Sequence, residues 1–131
     1  MTPTPSPLVR HLDDLPVERW DDPQRGNTTW RTLYSAPDTP TNRLATGVAT
    51  VPSGGELTRH RHETVETYFV ISGTGRLTLG DNRYDMRPGS SVLIPSLTPH
   101  GILNTGLVQL EFYYAFAADS FADVHYEFTE L

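Results

Sequence analysis

The chain contains no cysteine and no lysine. Without thiols, disulfide frameworks, thiolate nucleophiles and cysteine-ligated metals are excluded. No apolar run approaches the length of a membrane span, so no membrane partner is expected. The opening MTPTPSPLVR lacks the basic-then-apolar pattern of a secretion signal, and the expected location is cytoplasmic. Positive charge is scarce as well: ten arginines face sixteen acids, for a net charge of −6. Residues 101–131 hold no arginine but carry Glu111, Asp119, Asp123, Glu127 and Glu130. A cationic phosphate-binding face is therefore not expected, and neither is a nucleic-acid partner. Sustained 3.6-residue periodicity is also missing, which argues against any major helix. No internal repeat is present.

What remains is 131 residues with 37% apolar content, five Phe, six Tyr and two Trp. That is enough for one modest core and a single domain. Residues 1–27 read as an N-terminal tail and arm, and 28–131 as a β domain. The first seven residues are expected to be loose, and Pro16 interrupts any helix in the arm. Its apolar Leu8, Val9, Leu12 and Leu15 suit the edge of a neighbouring sheet, which points to a homodimer. Beyond the arm, short β-rich runs alternate with Gly and Pro. They are TTWRTLY, RLATGVATV, VETYFVI, RLTLG, SVLIP and LVQLEFYYAF, with DSFADVHYEF as a turn entering a last strand. This spacing predicts an all-β sandwich or barrel.

The most informative segment is HRHETVETY, residues 60–68. His60 and His62 lie two apart, which on a strand places both imidazoles on one face. On a continued extended path Glu66 faces the same way, and Tyr68 falls beside it. Two imidazoles and a carboxylate suit a borderline divalent metal, and His100 is the candidate for a further ligand. The competing reading of the spacing is an exposed polar strand.

These residues also carry a family resemblance. GELTRHRHETVETYFVISGTG resembles the first cupin motif, through Gly55, His60, His62, Glu66 and Gly73. GDNRYDMRPGSSVLIPSLTPHGILN resembles the second, through Pro88, Gly89, Pro95, His100 and Asn104. The resemblance implies a single-domain cupin β-barrel of jelly-roll form over 28–131, with His60, His62, Glu66 and His100 as ligands. The cofactor it implies is one divalent transition metal among Fe, Ni, Mn, Zn and Co. Asn104 is expected to hydrogen-bond within the wall rather than bind metal.

Three segments, PSGGELTRHRHETVETYFVISGTG, LEFYYAFAADSF and ADVHYEF, are similar to the small single-domain dimethylsulfoniopropionate lyases. Tyr68 and Tyr126 match the tyrosines those enzymes carry beside the metal. The implied reaction is α-proton abstraction from a small anionic or zwitterionic carboxylate, followed by β-elimination to acrylate and dimethyl sulfide. Tyr68 is the expected base, and Tyr126 a metal ligand, a group orienting the carboxylate, or the alternative base. Trp30, Tyr34 and Tyr114 are aromatic candidates for the pocket of a sulfonium cation. Tyr113 and Tyr114 should point to opposite faces. The same ligand set also serves dioxygenases, isomerases, polyketide cyclases and non-catalytic metabolite-binding cupins, because a fold does not fix a reaction.

Overall fold

The computed structural model describes residues 8–128. Ten strands follow in order: β1 (Glu18–Arg19), β2 (Thr29–Tyr34), β3 (Ala45–Val51), β4 (Glu56–His60), β5 (Glu66–Ser72), β6 (Gly75–Leu79), β7 (Asn82–Met86), β8 (Ser91–Ile94), β9 (His100–Asn104) and β10 (Leu110–Phe116). They form a six-stranded sheet, β1-β2-β3-β10-β5-β8, and a four-stranded sheet, β4-β9-β6-β7. The pairs given by strand register are all antiparallel. The fold is all-β, built of two antiparallel sheets, as the strand spacing predicts. Helix is limited, among the described residues, to three 3-10 turns at Leu12–Asp14, Pro23–Arg25 and Phe121–Asp123.

The core follows from strand parity. Leu110, Phe112, Tyr114 and Phe116 of β10 are buried, and so are Glu66, Tyr68 and Val70 of β5. From the facing sheet come Leu57, Leu77 and Ile102. Alternate side chains of a strand share a face, so each strand contributes every second residue to the interior. Tyr113 is exposed and Tyr114 buried, the opposition expected of neighbours on β10. Tyr114 needs Gly47 opposite it, since a Cβ there would overlap the phenol. Asn104 ties the wall together as expected. Its amide donates to the carbonyls of Val51 (2.9 Å) and Val108 (2.8 Å), and its Oδ1 accepts from the Gly106 N–H at 2.8 Å.

The arm is held to β2 of its own chain by polar contacts: Arg10 donates to the Leu33 carbonyl at 2.8 Å, Arg31 to that of Leu12 at 3.0 Å, and the Tyr34 hydroxyl to that of Leu8 at 3.0 Å, while the Leu8 and Val9 side chains stay exposed. One expectation needs correction. Among the described residues, the segment after β10 forms its 3-10 turn but no full strand. Only Glu127 pairs, with Arg61, because just two residues of extended chain beyond β4 run alongside it. The proline-rich residues 1–7 lie outside the described residues.

Candidate metal centre

His60 ends β4 and His100 begins β9, and the two are cross-strand partners with ring centroids 4.2 Å apart. His62 follows two residues after His60, on backbone held extended by the Arg61–Glu127 bridge. All three imidazoles are buried, and their ligand atoms lie within 4.8 Å of one another. Glu66 arrives differently from the sequence expectation. The chain does not continue as one strand from 60 to 66; it crosses from the four-stranded sheet to the six-stranded one. Glu66 therefore begins β5 on the opposite wall and faces His62 across the interior, with Oε1 3.1 Å from His62 Nε2 and 3.6 Å from His100 Nε2.

Backbone carbonyls fix the tautomers. Nδ1 of His60 lies 2.7 Å from the Thr58 carbonyl, that of His62 2.7 Å from Thr64, and that of His100 2.9 Å from Thr98. A carbonyl can only accept, so each Nδ1 carries the proton. In the neutral rings every Nε2 is then an acceptor aimed inward. His60 Nε2 and His100 Nε2 are buried with no hydrogen-bond partner. Burial, and then the neighbouring His100, push the His60 pKa well below the usual imidazole value, so this ring stays neutral. Three lone pairs and a carboxylate thus converge with no donor among the described residues. This arrangement is costly unless a cation satisfies it. The donor set fits one divalent transition metal, and imidazole with carboxylate admits Fe, Ni, Mn, Zn or Co.

Beside Glu66 lies a cavity of about 20 Å³, room for a water or two. Its wall includes Tyr68, Tyr114, Trp30 and Tyr126, and no lining residue is cationic. Burial, and then the Glu66 charge, raise the phenol pKa of Tyr68 and Tyr126 well above the ordinary value. The same two causes, in that order, raise Tyr114. The Tyr126 ring stacks on His60 at 4.8 Å and meets His62 edge-on at 5.2 Å. The Tyr68 ring stands 6.2 Å from that of His100.

Tyr34 does not join this group. A register shift between Thr32 and Tyr34 reverses the strand's parity and sets Tyr34 opposite Thr46, on the outer face. Residues the sequence reading left out of the site close the mouth instead. Trp20 packs on Trp30 at 4.6 Å, on Tyr126 at 5.3 Å and on Phe128 at 5.4 Å, and Arg25 lies 4.8 Å over the Phe128 ring. The alternation of Val124, Tyr126 and Phe128 was the available signal for Phe128. Nothing in the sequence singled out Arg25. An open groove of about 320 Å³ runs outside past His62, with Glu63, Asp123 and Glu127 on its sides.

Residues 47–116 match the cupin domain family. Over 123 residues the chain is 32% identical to dimethylsulfoniopropionate lyase DddW of Ruegeria pomeroyi, spanning 94% of this chain and 80% of that protein. The structure of the polyketide cyclase RemF from Streptomyces resistomycificus superposes with a TM-score of 0.80 at 24% identity, over 94% of this chain and 85% of that one. A predicted oxalate decarboxylase from Thermotoga maritima gives a TM-score of 0.76 at 22% identity, over 85% of this chain and 99% of the other. The two structural likenesses establish the fold, and their names span different chemistries. With the match covering more than half of its length and a buried three-imidazole centre inside two antiparallel sheets, the chain belongs to the cupin family.

Proposed function

We propose that this metal-dependent cupin is a carbon–sulfur lyase acting on a small zwitterionic carboxylate of the dimethylsulfoniopropionate type. The observation that carries the reading is the cavity beside the centre, where aromatic rings surround a single carboxylate and no cation lines the wall. Such a wall suits an onium group, which gains from ring faces and a nearby negative charge. The similarity to DddW over 94% of the chain supports the same choice, as do the carboxylates flanking the outer groove, which favour approach of a cation.

His60, His62, His100 and Glu66 would hold the ion, which when bound supplies Lewis acidity toward the substrate carboxylate and so acidifies the α-carbon. The aromatic wall orients the sulfonium end and excludes water. Tyr68, fixed on β5 two residues from Glu66, is the base, and Tyr126 caps and orients the substrate from the mouth. Burial first, and then the Glu66 charge, raise both phenols, so a cation at the centre would ease ionisation by neutralising Glu66 and stabilising the phenolate against burial. The tyrosinate oxygen takes the α-proton. The C–H electron pair becomes the new C=C bond, and the β C–S bond breaks with its pair staying on sulfur. Acrylate and neutral dimethyl sulfide leave, and the phenol returns its proton to water.

The test is direct. Protein loaded separately with Fe(II), Ni(II), Mn(II) or Zn(II) is given dimethylsulfoniopropionate, and headspace dimethyl sulfide and dissolved acrylate are measured. Equimolar release of both is expected with at least one metal. Fully loaded protein that releases neither overturns the reading.

A further inference from the structure

The net charge of −6 argues against a cationic surface for the chain as a whole. On the outer face of the four-stranded sheet, however, a groove of about 300 Å³ is lined by three of the ten arginines, Arg59, Arg76 and Arg83, against one acid, Glu56. Strand parity gathers them. Leu77 of β6 and Met86 of β7 are buried, so Arg76, Thr78 and Arg83 point outward. Arg59 arrives by a bulge. The β4–β9 register runs from Leu57 opposite Ile102 to His60 opposite His100, so Thr58 and Arg59 together face Gly101. Such a bulge re-aims a side chain. It needs a glycine opposite, since a Cβ on Gly101 would stand 3.0 Å from the Arg59 Cα and N. The Arg59 guanidinium crosses β9 there and donates from Nη2 to the Gly80 carbonyl at 3.1 Å, just past the end of β6. Register sets Gly101 beside Thr78, and Thr78 beside Arg83. The row between Arg59 and Arg83 is thus floored by a glycine and a short hydroxyl side chain. The same bulge brings the Thr58 carbonyl to His60 Nδ1 at 2.7 Å, so one irregularity serves the metal centre on one face and the groove on the other.

We propose that this groove binds a small oxyanion of two or more negative charges, the phosphate or dicarboxylate part of a metabolite. The three cations are poorly compensated within the chain. Arg59 Nε is buried with no hydrogen-bond partner, and a small turn of the half-buried side chain toward the groove gives it an oxyanion acceptor. Arg83 forms no ion pair among the described residues. Arg76 has only Asp85, at 3.4 Å, and both side chains are exposed, a kind of pair that contributes little. Guanidinium forks match phosphate and carboxylate groups two hydrogen bonds at a time, and the Thr78 hydroxyl offers a further donor. With Glu56 as the single opposing charge, a dianion balances the groove better than a lone carboxylate does. The acidic remainder of the chain repels a long polyanion, which restricts the ligand to a compact one. The inference is independent of the lyase reading.

Isothermal titration of the full, metal-loaded chain tests it, with inorganic phosphate and, separately, succinate from roughly 0.1 to 10 mM, a range that brackets weak metabolite binding. Sodium chloride of equal ionic strength is the blank. Saturable one-to-one binding of at least one anion is expected, and the tighter of the two tells whether the oxyanion is a phosphate or a carboxylate. Arg59→Gln with Arg83→Gln should weaken it at least about 30-fold at unchanged metal content, because charge-assisted hydrogen bonds to the anion are lost. Arg87→Gln alters an exposed arginine outside the groove and should leave the affinity as it was. Arg59 adjoins the ligand His60, so Arg83→Gln is also measured alone. It lies on β7, away from the centre, and must weaken binding at least about fivefold. Absence of saturable binding by both anions overturns the proposal. So does binding that survives the double substitution, which would put the anion at the metal instead.

Discussion

Stripping the metal from the folded chain should cost it several kilocalories of stability, and the amount can be worked from the site. Without an ion, His60 Nε2 and His100 Nε2 are buried acceptors with no partner. Each such group costs about 1–3 kcal/mol, so a cation that satisfies both relieves roughly 2–6 kcal/mol. The linkage relation gives a value inside that range: an ion at one hundred times its dissociation constant adds about 2.7 kcal/mol. For a chain of this size 1 kcal/mol moves the melting temperature by about 4 °C, so loading should raise it by roughly 10 °C or more. The assay is a thermal melt of chelator-treated protein against the same protein refilled with one metal at a time. His100→Ala removes one arm of the site and should abolish most of the rise. Equal melting temperatures with and without metal would refute the argument that these lone pairs await a cation. A full rise retained in His100→Ala would refute the assigned geometry.

Further outcomes follow from single groups. The His60 pKa is lowered in the fold, so below about pH 6.5 the unfolded chain takes up a proton that the metal-free fold refuses. Metal-free stability from this group should therefore be complete above pH 6.5 and fall by about 1.4 kcal/mol per unit as pH drops beneath it, until the folded pKa is reached, as melts across pH 7.5 to 5.5 would show. Tyr68→Phe should keep metal and substrate affinity but lower kcat by about 10²–10⁴, the usual contribution of a general base, whereas Tyr126→Phe should act mainly on KM. Reversed effects would exchange the roles of the two phenols. Asn104→Ala should cost about 1–3 kcal/mol in denaturant titration, since it strands the buried Val51 carbonyl and removes the part-buried bonds to the Val108 carbonyl and the Gly106 N–H.

How far these residues could be read from sequence depended on the range of the contact. Parity within one strand is local, so the shared face of His60 and His62 was legible, as was the inward Tyr114 beside an outward Tyr113. Glu66 was found through a premise that fails. Counting by twos assumed one extended path, whereas the chain turns between 62 and 66 and brings the carboxylate to His62 from the other sheet. The pairing of His100 with His60 depends on β4 and β9 lying side by side, which no local pattern records. Tyr34 shows the opposite failure: parity from Trp30 predicts an inward ring, and the shift at the bulge turns it out. The mouth of the barrel was the least legible part, because Trp20, Arg25 and Phe128 come from the two ends of the chain and meet only in the fold.

That mouth sets a limit on turnover. A cavity of about 20 Å³ admits a water or two, so no organic substrate enters while Trp20, Tyr126 and Phe128 stay packed. The segment bearing Tyr126 and Phe128 is tied down beside the centre by a short latch. Arg61 N–H donates to the Glu127 carbonyl at 3.1 Å, Glu127 N–H to the Arg61 carbonyl at 2.9 Å, and the Arg61 guanidinium to the Glu127 carboxylate at 2.8 Å. The ion pair is half-exposed, and such pairs contribute about 0–1 kcal/mol. Glu127→Gln leaves the backbone bonds in place and should therefore raise the open population by no more than about fivefold. If opening limits entry, the rate of substrate binding rises by that factor, while metal content and the midpoint of unfolding barely change. The Trp20 ring touches the moving rings, so stopped-flow fluorescence reports the step directly, although Trp30 contributes a constant background. Unaltered binding kinetics in Glu127→Gln, together with unaltered kinetics when Phe128→Ala opens the stack, would mean that substrate reaches the centre by another route.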